Sequence, residues 1–185
     1  SRVPQFAIPN LWVVNMKKIL FTLLSAALMG GTFQAAGQDL VVYGGTPAGI
    51  AAAVQACRMG RKVVLIDPSP RLGGMVTGGL GATDVGNAKS VGGISREFFV
   101  AVHARNADRG ASDWCFAPSA ALAVFEDWVR TNGITVVRGG KLDRGPGGVA
   151  KDGSRIRSIR LTDGRIFPAK MFIDATYEGD LLAAA

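Results

Sequence analysis

A glycine-rich segment, Gly44-Gly45-Thr46-Pro47-Ala48-Gly49, joins an apolar run to an alanine-rich run. In dinucleotide-binding turns one glycine makes the tight turn, a second lets the backbone approach a pyrophosphate, and a third allows a helix to pack closely on a strand. Gly44 matches the first position and Gly49 the third, whereas Thr46 stands where the middle glycine is expected. The free amides and the partial positive charge of the helix N-terminus would then face the phosphates.

An acidic residue follows the next apolar run at the distance that a dinucleotide site requires. Asp67 comes 18 residues after Gly49, close to the spacing of about 20 residues at which a carboxylate accepts hydrogen bonds from the adenosine ribose. A glycine-rich turn by itself is a weak signal, but buried strands on both sides and this acid make it specific. The predicted nucleotide-binding residues are Gly44, Gly45, Thr46, Pro47, Ala48, Gly49 and Asp67. The alternative is an ordinary α/β turn that binds no nucleotide.

The elements around this turn have the pattern of a parallel α/β sheet. Residues 40–43 and 63–66 are continuous apolar runs, typical of parallel strands that are buried on both faces. The helix-forming residues 50–59 between them complete a βαβ unit. Further parallel strands are expected at residues 134–137 and 171–173, the latter returning to the buried sheet.

The rest of the chain supplies a long loop, two helices and a small antiparallel unit. Residues 68–93 are rich in glycine and are interpreted as a ligand-binding loop. Helices are predicted over residues 94–105 and 118–132. The pairs Asp152-Gly153 and Asp163-Gly164 are strong hairpin signals, so residues 147–167 are expected to form a three-stranded meander. The predicted fold is therefore an α/β Rossmann-like domain with a parallel sheet and a small antiparallel β-meander.

Residues 16–37 have the layout of a secretory signal peptide. Met16-Lys17-Lys18 is a basic start, residues 19–28 are almost entirely apolar, and Ala35-Ala36-Gly37 offers a small-residue cleavage site. Because the apolar run is shorter than the roughly 20 residues that span a bilayer, we expect cleavage and a periplasmic or secreted bacterial protein. An uncleaved membrane anchor or a buried helix is the alternative. Residues 1–15 are interpreted as an upstream extension.

Charge and residue usage exclude several other classes of protein. Without residues 1–37 the chain keeps 18 basic and 14 acidic residues, a net charge of +4, and no basic stripe, which disfavours nucleic-acid binding. Cys57 and Cys115 are expected to pack in the interior; two cysteines make no disulfide framework, and whether they pair stays open. His103 is the only histidine and has no partner at metal-ligand spacing, so no metal site is predicted.

Four motifs together resemble one family of enzymes. They are residues 41–50, residues 72–81 with Leu72-Gly73-Gly74-Met75, residues 92–98, and residues 174–181 with Asp174-Ala175-Thr176. In these motifs the chain resembles the FAD-dependent oxidoreductase family of the glutathione-reductase-like flavoprotein superfamily. It is similar in particular to the exported bacterial group often labelled xanthan lyase, although no residue supports the elimination of a uronic acid. The resemblance covers essentially everything after residue 38.

The resemblance implies FAD as the cofactor and assigns further residues to it. Gly73 and Gly74 would pass under the pyrophosphate and ribityl chain, and Met75 would lie near the isoalloxazine ring. Arg71 would pair with a phosphate. The backbone of Leu142 would meet adenine, and Ala175 and Thr176 would close over the ADP half.

The resemblance also implies how the chain is organised and what it acts on. Residues 38–185 would be an incomplete FAD-binding domain, truncated at its C-terminal side, so no catalytic residue is named. The substrate would be a small molecule, by resemblance derived from a carbohydrate. Two alternatives stay open: an NAD(P)-binding oxidoreductase, and a non-catalytic nucleotide-binding fragment.

Overall fold

A six-stranded mixed sheet with strand order β3-β2-β1-β6-β5-β4 organises the fold. The computed structural model describes residues 37–106 and 114–185, which belong to the second of two units of the chain, residues 33–185. The predicted upstream extension and nearly all of the predicted leader lie outside the described residues. The strands are β1 (Gln38–Tyr43), β2 (Val63–Asp67), β3 (Thr135–Arg138), β4 (Val149–Asp152), β5 (Arg155–Arg160) and β6 (Ile166–Asp174). The helices are α1 (Pro47–Arg58), α2 (Gly74–Gly78), α3 (Gly93–Asn106), α4 (Pro118–Thr131) and α5 (Asp180–Ala184), with one 3-10 turn at Ala88–Ser90.

Strands β1 and β2 lie at the centre of the parallel part and are buried on both faces. β1 pairs in parallel with β2 on one side and β6 on the other, and β2 pairs in parallel with β3. Alternate side chains enter two separate cores: Leu40 and Val42 face the helices, whereas Val41 and Tyr43 face the antiparallel strands. The predicted parallel α/β sheet is confirmed, with each strand within a few residues of its expected bounds.

Three helices cover one face of the sheet through an aromatic cluster. Ile50 and Val54 of α1 are fully buried there. The Phe98 ring of α3 stacks on Phe125 of α4 at a centroid distance of 4.8 Å, and Trp128 meets both rings edge-on. α1 thereby stays fixed against β1, and the position of its N-terminus is set by the core.

The predicted antiparallel meander is present and packs over the other face. β4, β5 and β6 pair antiparallel, and Ile159 and Phe167 are buried in the same core as Val41. The last meander strand and the returning sheet strand are one element, because β6 changes partner from β5 to β1 after Pro168. The expected full burial of residues 171–173 is wrong: Met171 is 64% exposed and Ile173 is 36% exposed, since α1, α3 and α4 cover β1 and β2 instead.

Two further expectations need correction. The glycine-rich segment 68–93 is not one irregular loop, because it contains α2 and the 3-10 turn. Cys115 is exposed rather than packed in the interior, whereas Cys57 is half-buried and packs against the core as expected. The two cysteines form no disulfide within the described residues, and burial raises the pKa of the Cys57 thiol. Across residues 37–106 and 114–185, no helix combines the length and apolarity needed to cross a membrane.

The stacked pair in the aromatic cluster gives a stability prediction. Replacing Phe125 by Ala leaves a cavity beneath Phe98 and is expected to reduce the free energy of unfolding by about 3–5 kcal/mol. Val100→Ala on the same helical layer is the control, because Val100 is 65% exposed and its truncation should change stability by less than about 0.5 kcal/mol. Urea denaturation of both variants measures this, and equal effects would contradict the assigned core.

Candidate cofactor-binding site

Gly44 in the turn between β1 and α1, and Gly49 in the first turn of α1, leave no room for a side chain. Gly44 has φ +112°, and a Cβ there would lie 2.6 Å from the carbonyl carbon of Ala175. A Cβ on Gly49 would lie 1.9 Å from the Gly44 carbonyl oxygen. Gly44 therefore makes the tight turn and Gly49 allows the helix to pack on the strand, as the sequence predicts.

Thr46 occupies the middle position without straining the turn. Its backbone is extended, with φ −69° and ψ 167°, so the position does not require glycine. The Thr46 hydroxyl accepts a hydrogen bond from the Gly49 N–H at 3.2 Å and donates one to the Ala175 carbonyl at 2.7 Å. Thr46 is thus the N-cap of α1 and also ties the first turn to the turn after β6.

The N-terminus of α1 keeps a donor for an anionic ligand. Helix N-termini leave their first N–H groups without intrahelical partners. Pro47 has no N–H, and Thr46 satisfies the N–H of Gly49. Ala48 is an exposed residue, and its amide has no hydrogen-bond partner within residues 37–106 and 114–185. A phosphate oxygen at this end of the helix would accept that bond and gain from the helix dipole.

Asp67 lies at the end of β2, directly beside the glycine turn. The residue is 5% exposed, and its carboxylate accepts a hydrogen bond from the Ser69 N–H at 2.9 Å. A Cβ on Gly45 would lie 2.0 Å from the Asp67 carboxylate, so only glycine fits there. Burial raises the pKa of Asp67 and outweighs the backbone hydrogen bonds from Ser69 and Gly45 and the charge of Arg138, which act to lower it. A ribose hydroxyl donating to this carboxylate would provide the compensation that the buried charge lacks.

The second glycine pair forms a bend that begins α2. Gly73 and Gly74 both have positive φ, +94° and +51°, and Gly73 donates its N–H to the Gly45 carbonyl at 2.7 Å. Beneath the bend, the buried Thr77 hydroxyl donates to the Leu72 carbonyl. Met75 and Arg71 are exposed on this loop, and no ion pair holds the Arg71 guanidinium in the described part of the chain.

The turn between β6 and α5 completes the site. Asp174 accepts from the Thr176 N–H at 2.9 Å, from the Thr176 hydroxyl at 2.7 Å and from the Leu182 N–H at 2.8 Å. Partial burial acts to raise the pKa of Asp174, but these hydrogen bonds together lower it. The carboxylate therefore stays charged and holds Ala175 and Thr176 against the first turn.

Two adjoining cavities run along these three turns. One of about 230 Å³ lies among the first turn, Asp67 and the residues 176–180. The other, about 500 Å³, follows the loop from Ser69 and Arg71 to Leu80. Ser69, Gly74 and Tyr177 line both, so the cavities meet at Gly74. Together they form one groove along the three turns.

Most of the predicted site residues meet along this groove. The lining includes predicted Gly44, Gly45, Thr46, Asp67, Arg71, Gly74, Met75 and Thr176. Gly49, Gly73 and Ala175 support it from behind. Pro47 begins α1 beside the aromatic cluster, and the Ala48 amide remains a predicted phosphate contact.

The structure does not bring Leu142 into this lining. The Leu142 N–H donates to the Tyr43 hydroxyl at 2.8 Å. That amide is therefore already satisfied, and a contact between the Leu142 backbone and adenine stays a prediction.

Sequence reasoning missed several lining residues. Ser69, Tyr177, Glu178 and Asp180 also line the groove. Of these, Tyr177 to Asp180 lie in the motif at residues 174–181, which pointed to the turn without separating its members. No sequence pattern pointed to Ser69, because its position depends on the hydrogen bond from its N–H to the Asp67 carboxylate.

The fold and the three turns define a dinucleotide-binding α/β protein. The sequence matches the model of the FAD dependent oxidoreductase family over residues 39–185. The chain therefore belongs to the FAD dependent oxidoreductase family, and the cofactor of this class is FAD. A comparison with curated protein sequences gives no match.

Solved structures with the same fold are distant in sequence. L-proline dehydrogenase from P. horikoshii has a TM-score of 0.52 at 12% identity, with 79% of this chain and 54% of that chain covered. Bacillithiol disulfide reductase from Staphylococcus aureus gives 0.51 at 15%, with 77% and 39% covered. Thermovibrio ammonificans THI4 gives 0.50 at 18%, with 91% and 67% covered. At these identities the likeness shows the fold alone. This chain spans 38% of the length of a flavin monooxygenase from Stenotrophomonas maltophilia that it also matches.

The residues of the groove fit FAD. Gly44 and Gly45 line the smaller cavity and carry no side chains, so a pyrophosphate can approach their backbone closely. Asp67 offers a buried acceptor for ribose hydroxyls. The larger cavity continues from Gly74 and gives room for the rest of an extended cofactor.

The raised pKa of Asp67 gives a prediction about cofactor affinity and pH. Ribose hydroxyls donate to the ionised carboxylate, so FAD affinity should fall as the pH drops through the raised pKa of Asp67, beginning above its ordinary value of 3.8. Asp67→Asn should lose about 10- to 100-fold in affinity at pH 7, the equivalent of about 1.5–3 kcal/mol for a hydrogen bond to a charged group, and should lose this pH dependence.

Asp67→Asn should weaken FAD binding without lowering the stability of the fold. A carboxyl with a raised pKa stabilises the fold only while it is protonated, below pH 3.8, and that contribution is lost as the pH rises through the folded-state pKa. Without cofactor, Asp67→Asn should therefore unfold at pH 7 at an equal or higher urea concentration. Titration by flavin fluorescence and urea unfolding measure the two effects; weak binding together with lost stability would contradict the assigned role.

Proposed function

We propose that this chain is the FAD-binding part of an oxidoreductase that acts on a small organic molecule. The observation that carries the proposal is the meeting of two cavities at Gly74, one beside Asp67 and one beside Met75. A mononucleotide needs only the first cavity, whereas a dinucleotide with a second ring system needs both. The family match over residues 39–185 supports FAD as that dinucleotide.

In this proposal each turn has a separate binding task. Asp67 holds the adenosine ribose, and the N-terminus of α1, with the Ala48 amide, holds the pyrophosphate. The Gly73-Gly74 bend brings backbone close to the chain that leads to the flavin, and Arg71 offers a guanidinium to a phosphate. Bound flavin supplies the hydride or electron chemistry, while this chain orients it.

The two rival functions make different demands on the same groove. An NAD(P) enzyme would use the first turn and Asp67 but would not need the glycine pair at residues 73 and 74. A non-catalytic nucleotide-binding fragment would hold the ADP portion and leave the larger cavity without a role. Comparing the affinities for FAD, NAD and ADP discriminates among the three.

The substrate and the cellular location are the finer parts of the proposal. The resemblance to exported bacterial proteins supports a sugar or glycan-derived alcohol as the substrate. The basic start and apolar run of residues 16–37 support export in an unfolded state, with FAD captured afterwards. A panel of sugar alcohols and aldoses, assayed with an artificial electron acceptor on the full-length protein, would test the substrate.

Cofactor binding can be tested directly on this chain. Incubation with FAD should give the absorption bands of bound oxidised flavin, and FAD should bind at least 10-fold more tightly than NAD. Gly45→Ala should weaken FAD binding at least about 10-fold, because its Cβ would meet the Asp67 carboxylate at 2.0 Å. Gly86→Ala is the matched control, since nothing lies within 4 Å of a Cβ at that position. The proposal would be refuted if neither the wild-type chain nor a longer form of the protein retained flavin.

Export predicts a defined N-terminus. The protein isolated from the periplasm or medium of a bacterial host should begin at Gln38, after the Ala35-Ala36-Gly37 site. Lys17→Glu with Lys18→Glu should retain the full-length form in the cytoplasm, because the basic start is lost. N-terminal sequencing of fractionated cells measures both; a stable cytoplasmic protein with an intact leader would contradict export.

A further inference from the structure

The side chain of Tyr177 stands where the two cavities of the groove meet. It lies in the turn between β6 and α5, is 55% exposed, and lines both cavities. Its hydroxyl accepts a hydrogen bond from the Met75 N–H at 3.0 Å. This bond joins two segments of the groove that are 102 residues apart in sequence.

The loop that Tyr177 contacts has little to hold it by itself. Gly73 and Gly74 are consecutive residues with positive φ, and glycines lose more conformational freedom on folding than other residues. Helix α2, with five residues, is far below the length at which a helix is stable in isolation. Its N-cap is Gly73, which provides no side-chain hydrogen bond to the first turn. The bend therefore depends on contacts from other segments.

Those contacts come from two sides of the loop. From below, the Thr77 hydroxyl bonds to the Leu72 carbonyl, and the Gly73 N–H bonds to the Gly45 carbonyl. On the groove side, the described residues hold the loop through the hydrogen bond that the Met75 N–H donates to the Tyr177 hydroxyl. The fit is close, because a Cβ on Gly74 would lie 2.3 Å from the Tyr177 hydroxyl oxygen.

We propose that Tyr177 is a positioning residue for the flavin-side half of the cofactor. Its hydroxyl fixes the Met75 amide and so sets the path of the Gly73-Gly74 bend along the larger cavity. Tyr177 thereby acts on FAD through the loop, and has little effect on ADP, which needs only the first turn and Asp67. The inference rests on the proposed FAD binding and deepens it.

The two tyrosines of the chain allow a matched test. Tyr177 and Tyr43 each accept a backbone N–H through the hydroxyl, from Met75 at 3.0 Å and from Leu142 at 2.8 Å. Tyr177→Phe removes one bond at the groove, and Tyr43→Phe removes the other in the buried core. Tyr43→Phe controls for the loss of a tyrosine-to-amide bond as such. If Tyr43→Phe displaces the Leu142 backbone, FAD and ADP binding should change alike, because both ligands contain the adenine that Leu142 is predicted to contact.

The readout is the ratio of FAD affinity to ADP affinity, measured by calorimetry on the whole chain. Tyr177→Phe should lower FAD affinity about 3- to 10-fold, the size of one ordinary net hydrogen bond, and leave ADP affinity within about 2-fold. Tyr43→Phe should leave the ratio unchanged. Amide hydrogen exchange of the segment that contains Met75 should become faster in Tyr177→Phe before ligand is added.

Each other outcome overturns the inference. FAD affinity that is unchanged or tighter in Tyr177→Phe would mean that the hydroxyl is dispensable or competes with the cofactor for the Met75 amide. An equal loss for FAD and ADP would mean a general structural role. Tyr177→Trp, which also lacks an acceptor, repeats the test if the Phe variant folds poorly. ADP binding without FAD binding in the wild-type protein would refute the proposed function itself, and is distinct from the results above.

Discussion

The contact between the first turn and the turn after β6 is the constraint on which the site depends. Gly44 packs against the Ala175 backbone, and the Thr46 hydroxyl donates to the Ala175 carbonyl, across 129 residues of sequence. These contacts require β6 to lie beside β1, with Tyr43 in register with Asp174. The long crossover from β3 through the meander serves this pairing, because β6 is both the last meander strand and the neighbour of β1. The groove for the cofactor is therefore a consequence of the strand order.

The same arrangement explains why a charged residue can remain buried at Asp67. The carboxylate is held by the Ser69 amide and closed in by Gly45, so its burial is only partly compensated within the chain. Such burial costs stability, and under the proposed function a ribose hydroxyl that donates to the carboxylate would offset part of that cost. Asp174 has a similar place at the end of a parallel strand, but receives three hydrogen bonds from its own turn. Both aspartates end strands that flank β1. In the proposed site Asp67 would accept hydrogen bonds from a ligand, whereas Asp174 supports the backbone of its own turn.

The sequence predicted the parts of the site that depend on local geometry. Gly44, Gly49 and Asp67 could be predicted because a strand, a tight turn and a helix fix their spacing along the chain. The hydrogen bond from the Thr46 hydroxyl to Ala175 could not be predicted, since Ala175 is brought close only by the pairing of β1 with β6. Tyr177 was missed for the same reason: its hydrogen bond to Met75 joins two turns that no sequence period connects. The exposure of Met171 and Ile173 also followed from the arrangement of the helices, which an apolar run of three residues does not reveal.

Cofactor binding and the final stage of folding should therefore be coupled. The segments at residues 44–49, 67–75 and 174–180 come together only when β1, β2 and β6 are all in register, so a chain that lacks the β6 pairing has the first turn but no groove. A ligand that binds only the complete arrangement stabilises it in proportion to the logarithm of its concentration over its dissociation constant, by about 2.7 kcal/mol at a 100-fold excess. Because the Gly73-Gly74 bend has two consecutive glycines with positive φ and α2 has only five residues, part of that free energy would appear as ordering of this loop and of the turn that carries Tyr177. Selectivity for a long cofactor over its ADP half can then depend on the order of this loop, because only the longer ligand reaches the loop along the larger cavity.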